Sequence, residues 1–209
     1  MKITYSITAC NEHEELKTLM KLVDKCMDLD DEIVVLVDST TVTPEVLEVL
    51  GKYDEAPNVR YFKHPLEKDF ARQKNFLTSK CTGDFIFNID ADEIPHEYLL
   101  DNIKEILATN PECDVYWVPR INTVDGLTEE HIKKWHWNVN DKGWVNFPDP
   151  QMRIYRNDPS RIKWIKPVHE VLTGFKGFAQ LPAEEEYSFY HPKTIDRQER
   201  QNNFYETIQ

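Results

Sequence analysis

Apolar positions fall in short blocks along this chain, and the spacing within each block predicts its element. Residues 3–9 carry Ile3, Tyr5 and Ile7 and read as a strand. Leu16, Leu19, Met20, Val23 and Met27 then recur at helical spacing, with Asn11 as the expected N-cap and Glu14 in the capping-box position. Residues 32–37 are apolar almost throughout, a second strand. Thr43-Pro44 opens a short helix that Gly51 closes, with proline at its first position and glycine at its end. A strand at 59–62, a helix at 69–80 and a strand over Phe85, Ile86, Phe87 and Ile89 follow. That last run is apolar on both faces, the pattern of a strand buried in a parallel sheet. Leu99, Ile103, Ile106 and Leu107 mark a helix over 97–109, and 115–118 is the next strand. Strand and helix alternate to residue 118, which predicts an α/β fold with a mostly parallel sheet, right-handed crossovers and helices on both faces.

Beyond Arg120 the pattern changes. Residues 121–150 hold Trp135, Trp137 and Trp144 among Asn, Asp and Gly with little periodicity, and read as an ordered aromatic loop. Those indoles suit a platform against which a sugar ring can stack. Residues 152–155 read as a strand, and 192–208 as a polar segment ending in a helix with Phe204, Tyr205 and Ile208. No repeat or low-complexity linker divides the chain, so residues 1–209 are read as a single domain.

The polar residues that matter gather where strands end. Asp90, Asp92 and Glu93 follow the central run directly, at the strand's carboxyl end, where open α/β sheets place their ligands. Carboxylates this close repel one another unless a cation compensates, and a divalent ion with phosphate oxygens is the usual one. A metal and diphosphate site at residues 90–93 is therefore expected. Thr8-Ala9-Cys10-Asn11-Glu12 and Asp38-Ser39-Thr40 end the first two strands on the same edge, and Arg72 and Lys74 precede the central strand, in reach of phosphates. His131 and His136 are five apart, which does not match the i, i+4 placement for a shared metal.

Composition narrows the partners. Lys plus Arg is 25 against 37 for Asp plus Glu, a net charge of −12 over 209 residues, which opposes nonspecific binding to nucleic acid or anionic membrane. Cys10, Cys26, Cys81 and Cys113 show no paired spacing, so reduced thiols and a cytoplasmic location are expected. Met1 leads straight into the first strand, without a signal peptide, and no apolar run approaches the ~20 residues that span a bilayer.

Taken in order, these segments resemble family 2 glycosyltransferases with the GT-A fold. The resemblance rests on Thr8-Ala9-Cys10-Asn11-Glu12, Asp38-Ser39-Thr40, Gln73-Lys74-Asn75, Gly83-Asp84 and Asp90-Ala91-Asp92 at the family's spacing. Lys74 replaces the usual arginine, and Leu77 stands where glycine is common. More narrowly, Pro119-Arg120, the run from Pro148 to Arg156, Val168-His169-Glu170 and Tyr190-His191 resemble the short bacterial branch that includes lipopolysaccharide core β-glucosyltransferases.

The resemblance implies metal-dependent, inverting transfer of a sugar from a nucleotide diphosphate sugar, UDP preferred, to a hydroxyl of a saccharide or glycolipid. Residues 1–118 would bind the nucleotide sugar and 119–209 the acceptor. Asp92, His191 and Asp90 would hold Mn²⁺ or Mg²⁺. Thr8, Ala9, Asn11, Glu12, Asp38, Arg72, Lys74, Asn75, Asp90 and Ala91 would contact the donor. The base falls on Glu170, with Asp149 in reserve, while His169 positions Glu170 or approaches the metal. Arg153 and Arg156 are left as structural ion-pair residues. Acceptors on modified DNA bases or protein are alternatives, with Lys133-Lys134 or Arg161, Lys163 and Lys166 as footing for DNA. A non-catalytic sugar-nucleotide or glycan-binding module, and a haloacid dehalogenase-type phosphohydrolase with Asp90 as nucleophile, are rivals of another class.

Overall fold

The computed structural model describes residues 1–207. Its first half follows the predicted alternation: β1 (Ile3–Ala9), α1 (His13–Cys26), β2 (Glu32–Asp38), α2 (Pro44–Gly51), β3 (Val59–His64), α3 (Phe70–Thr78), β4 (Phe85–Asp90), β5 (Ile94–Pro95), α4 (Glu97–Thr109) and β6 (Val115–Val118). Then come β7 (Arg120–Asp125), α5 (Glu129–Trp135), β8 (Gln151–Arg156), β9 (Lys163–Ile165), β10 (Val171–Thr173), β11 (Phe178–Gln180), β12 (Phe189–Thr194) and α6 (Ile195–Glu206). Ile208, placed by sequence in the last helix, lies outside the described residues.

The main sheet has the order β11-β6-β8-β4-β1-β2-β3. β4, β1, β2 and β3 pair in parallel, whereas β8 runs antiparallel between β4 and β6. The sheet is thus mostly parallel, and its one reversed neighbour matters for the site. The start of β8, rather than its end, meets the carboxyl edge of β4, so Asp149 and Gln151 arrive there.

Burial on both faces explains the continuous apolar runs. Along β2, Ile33, Val35 and Val37 enter the core under α1, α2 and α4, while Val34 and Leu36 enter the core under α3, β9 and β10. β4 splits in the same way, with Phe85, Phe87 and Ile89 on one side and Ile86 on the other.

Two local expectations are corrected. Asn11 does not cap α1, because Glu12 takes the N-cap position and its Oε2 accepts from the N–H groups of Cys10 (2.8 Å) and Asn11 (3.0 Å). Residues 121–150 are not wholly irregular either. β7 pairs in parallel with β12, which also pairs antiparallel with β5, and α5 begins in a capping box between Thr128 and His131. Neither was visible as periodicity, because β7 alternates too little over its partly buried length and α5 buries none of its residues.

Candidate active site

Register brings the polar strand ends together. Thr8 stands opposite Asp90 on one side and Leu36 on the other, so the ends of β1, β2 and β4 lie level at one edge. A cleft of about 1550 Å³ opens there, lined by Thr8, Ala9, Asn11, Glu12, Asp38, Lys74, Asp90, Ala91, Asp92, Asp149, Glu170 and His191. Arg72 and Asn75, expected among the donor contacts, are not brought to it. Arg72 pairs with Glu67 (2.5 Å) and donates to Pro65 O (3.0 Å). The Asn75 side chain donates to Trp164 O (2.8 Å) and accepts from Trp164 N (3.0 Å), tying α3 to β9. Both sit on the side of α3 turned from the cleft.

The carboxylates are compensated mainly by protein cations. Arg153, buried on β8, donates to Asp90 Oδ2 (2.8 Å) and Glu93 Oε1 (2.6 Å). Arg120 adds bonds to Glu93 (3.2 Å) and Asp149 (2.7 Å). Glu93 is 1% exposed and wholly engaged in this network, so it is a structural anion and not part of a metal site. Burial pushes the Asp90 pKa up, yet Arg153, Lys74 and the Thr8 hydroxyl (2.7 Å) outweigh it and hold the carboxyl well below the usual range.

Asp92 differs. Its Oδ2 faces His191 Nε2 at 3.2 Å and the Arg197 guanidinium at 3.2 Å. Burial raises its pKa, but the bond and charge of His191, with Arg197, hold it at about 2. The orientation of His191 is fixed from behind. Its Nδ1 lies 2.8 Å from Asn122 Oδ1, and the Asn122 amide nitrogen donates to Asp149 (2.7 Å), so the amide oxygen faces the ring and accepts from Nδ1–H. Nε2 is left to face Asp92. One hard carboxylate oxygen and one oriented imidazole nitrogen fit a divalent ion that completes its shell with phosphate and water. Asp90 fits less well as a ligand, since both of its oxygens already have donors.

Lys74, 4% exposed, joins the two sides of the cleft, with Nζ 2.5 Å from Glu170 Oε1 and 3.7 Å from Asp90 Oδ1. Burial raises the Glu170 pKa and Lys74 more than reverses it, leaving an ionised carboxylate with Oε1 engaged by Lys74. Asp149 is held more tightly. Arg120 and Asn122 converge on Oδ2 and Gln151 donates to Oδ1 (2.9 Å), so its pKa too is lowered against the effect of burial. Asp38 accepts from Thr40 N (3.1 Å), Leu66 N (3.1 Å) and the hydroxyls of Thr40 and Thr41, which keep it ionised at the cleft wall. His169 takes a positive φ of 54° and packs its ring against Tyr205 (5.6 Å), not against Asp92.

Of the tryptophans, Trp135 and Trp137 line the cleft together with Trp117 and Trp164, whereas Trp144 packs on Phe147 and under Lys142 outside it. Arg120, Asn122 and Arg197 lay outside the sequence-based site. Among the described residues the one three-ligand metal grouping is Cys26, Glu97 and Asp101, away from the cleft and with Glu97 paired to Lys25.

Comparisons with known proteins agree with this geometry. Residues 6–166 match the family model "Glycosyl transferase family 2". A lipopolysaccharide core biosynthesis glycosyltransferase, LpsC of Rhizobium meliloti (strain 1021), is 25% identical over 206 residues, 97% of this chain and 68% of the relative. The crystal structure of S. aureus TarS 1-349 has a TM-score of 0.61 at 15% identity, covering 92% of this chain and 60% of that one. Its complex with UDP-GlcNAc gives 0.63 at 16% identity, covering 92% and 59%. At such identity these likenesses show the fold, a GT-A glycosyltransferase α/β fold. With its sequence matched over residues 6–166 and its strand ends meeting in one acidic cleft, the chain belongs to glycosyl transferase family 2.

Proposed function

We propose that this chain is a metal-dependent, inverting transferase that moves a sugar from a UDP-sugar to a hydroxyl of a saccharide or glycolipid. The observation that carries this reading is the pairing of Asp92 with an oriented His191 on the same edge as Thr8 and Asp38, with Glu170 held nearby by Lys74. Residues 1–118 supply the donor wall. The β1 end and Asp38 would hold the nucleoside, and Asp90 the ribose or the water around the ion. Asp92 and His191 would hold Mn²⁺ or Mg²⁺, which when bound offsets charge developing on the leaving diphosphate. Glu170 is the favoured base: it is ionised, it lines the cleft, and it is less encumbered than Asp149. Asp149 serves instead to fix Asn122, and through it His191.

The choice of UDP takes its lead from S. aureus TarS, solved with UDP-GlcNAc, and the saccharide acceptor from the name of LpsC. Against a nucleic-acid acceptor stand the net charge of −12 and the pairing of Lys133 with Glu129 (3.8 Å) and of Arg161 with Asp114 and Asp158. The phosphohydrolase reading is disfavoured by the family match over residues 6–166 and by Asp90 ending the fourth strand, β4, where that chemistry places its nucleophile on the first. Among the described residues no helix is long and apolar enough to cross a membrane, and the four cysteines are unpaired, which suits a reducing compartment.

Calorimetry and thermal shift with UDP-, GDP-, CMP- and dTDP-sugars, each with and without Mn²⁺, test the donor half. A ligand at 100 times its dissociation constant adds about 2.7 kcal/mol to the native state. We expect metal-dependent stabilisation by the UDP class, lost in Asp92→Ala. Glu170→Gln should keep that stabilisation while transfer to saccharide acceptors falls by about 10²- to 10⁴-fold. Silence from every nucleotide in folded protein would overturn the reading, and full transfer by Glu170→Gln would move the base to Asp149.

A further inference from the structure

Helix α6 turns a polar face to the cleft. Arg197, Gln198, Arg200, Gln201, Asn202 and Tyr205 line it, while Asp196, Glu199 and Asn203 of the same helix do not. A surface helix ordinarily turns an apolar stripe inward, because that burial is what docks it. Here Ile195 is only half-buried, and the aromatic contacts come from the far end, where Phe204 and Tyr205 meet Phe70 edge-on at 6.5 and 6.3 Å. The rest of the inward face is hydrogen-bonding groups held in order by one another. Gln198 donates to Asn202 (2.8 Å), Gln201 donates to the Tyr205 hydroxyl (2.7 Å), and Lys193 at the end of β12 donates to Gln201. The charges are sorted as well, with Arg197 and Arg200 facing the cleft and Asp196 and Glu199 outside it.

Arg197 shows what that face is directed at. Its guanidinium reaches Asp92 (3.2 Å), Glu12 (3.3 Å) and Glu15 (3.1 Å), joining the turn after β4 to the start of α1. Any phosphate held beside Asp92 lies within reach of the same guanidinium, and a planar fork of N–H donors suits phosphate oxygens as well as carboxylates. We propose that the cleft-facing side of α6 is a subsite for the donor's diphosphate, with Arg197 exchanging carboxylate partners for phosphate oxygens when the nucleotide binds. The proposal rests on the nucleotide-donor reading and adds to it a protein cation that acts beside the metal ligands. In this arrangement α6 faces the donor half of the cleft from the C-terminal side.

Titration calorimetry with UDP, UMP and uridine, in EDTA and in Mn²⁺, separates this role from a purely structural one. We expect Arg197→Gln to weaken UDP at least tenfold in Mn²⁺, beyond whatever EDTA takes from the wild type, and to leave uridine unchanged, with a smaller loss for UMP. Arg197→Lys should fall between wild type and Arg197→Gln, since it keeps the charge and loses the fork. In wild-type protein, UDP should slow amide exchange across α6 more than uridine does, a readout that stands even if Arg197→Gln fails to fold. Unchanged UDP affinity in folded Arg197→Gln, or equal exchange of α6 with UDP and uridine, would reduce Arg197 to a counter-ion of its carboxylates and overturn the subsite. Failure of the wild type to bind UDP at all would instead bring down the donor reading, and the subsite with it.

Discussion

Lys74 is the cation that links the two sides of the cleft. Its ammonium lies against Glu170 and near Asp90, with the Trp164 ring 4.9 Å beneath it. A carboxylate beside a buried cation stays ionised to lower pH, and the Glu170 pKa is lowered accordingly. Replacing Lys74 with methionine keeps the stem and removes the charge, so the Glu170 pKa should rise. If Glu170 is the base, the acid limb of the kcat/KM profile should move to higher pH in Lys74→Met, and an unmoved limb would assign the base elsewhere. At this scale the sequence was half legible. Asp90, Asp92 and Glu93 are neighbours in the chain and could be seen as a cluster, but their partners could not. Arg153 lies 63 residues from Asp90, and His191 lies 99 from Asp92. The inference from crowded acids to a metal was therefore too direct: protein cations neutralise most of that charge, and only Asp92 with His191 retains the character of a metal site.

Among elements, the starts of β1, β2 and β3 and the loop before β4, on the sheet edge opposite the cleft, are tied by one buried carboxylate. Glu32 accepts from the Thr4 hydroxyl (2.7 Å), from Thr82 N (2.6 Å) and its hydroxyl (2.9 Å), and from Arg60 (2.8 Å). Burial pushes its pKa up, but these donors prevail and hold it at about 2 against an ordinary 4.5. A depressed carboxyl pKa stabilises the fold above the unfolded value, and that stability is lost as pH falls towards the folded value. The ionised form therefore contributes up to about 3 kcal/mol at neutral pH, fading between about pH 5 and pH 2. Glu32→Gln should lower the urea midpoint at pH 7, and the gap to wild type should narrow as pH falls through that window. A gap independent of pH would mean the loss is packing and not charge. Element type was readable where apolar runs were long, as in β2, β4 and α4. Direction was not: nothing in Met152-Arg153-Ile154-Tyr155 says that β8 inserts antiparallel between β4 and β6, and that insertion is what carries Arg153 to Asp90.

At the scale of the molecule, the cleft has one wall built from parallel strand ends and an opposite wall built from β7, α5 and the start of β8. α5 buries no residue, yet two of the largest apolar side chains in the chain, Trp135 and Trp137, sit on and just after it and line the cleft half-exposed. They pack on each other (4.6 Å), and His131 stacks on Trp135 at 5.2 Å with its plane tilted 15°. Backbone bonds between Asn138 and Asn146, and from Asp149 N to Asn146 O (3.1 Å), lock this aromatic edge to the turn that fixes Asn122 and His191. Such a surface adds little to the core, and under the transferase reading proposed above the apolar face of a pyranose acceptor would stack on it. Trp144, which the sequence could not distinguish from the other two, faces elsewhere and serves as an internal control. Burying some 50 to 60 Å² of apolar surface against an indole is worth about 1.4 kcal/mol, a tenfold effect. Trp135→Ala and Trp137→Ala should each raise the KM for a saccharide acceptor about tenfold while UDP-sugar affinity stays at the wild-type value, and Trp144→Ala should change neither. Equal losses in donor and acceptor affinity would instead make the aromatic edge a structural prop for the whole cleft.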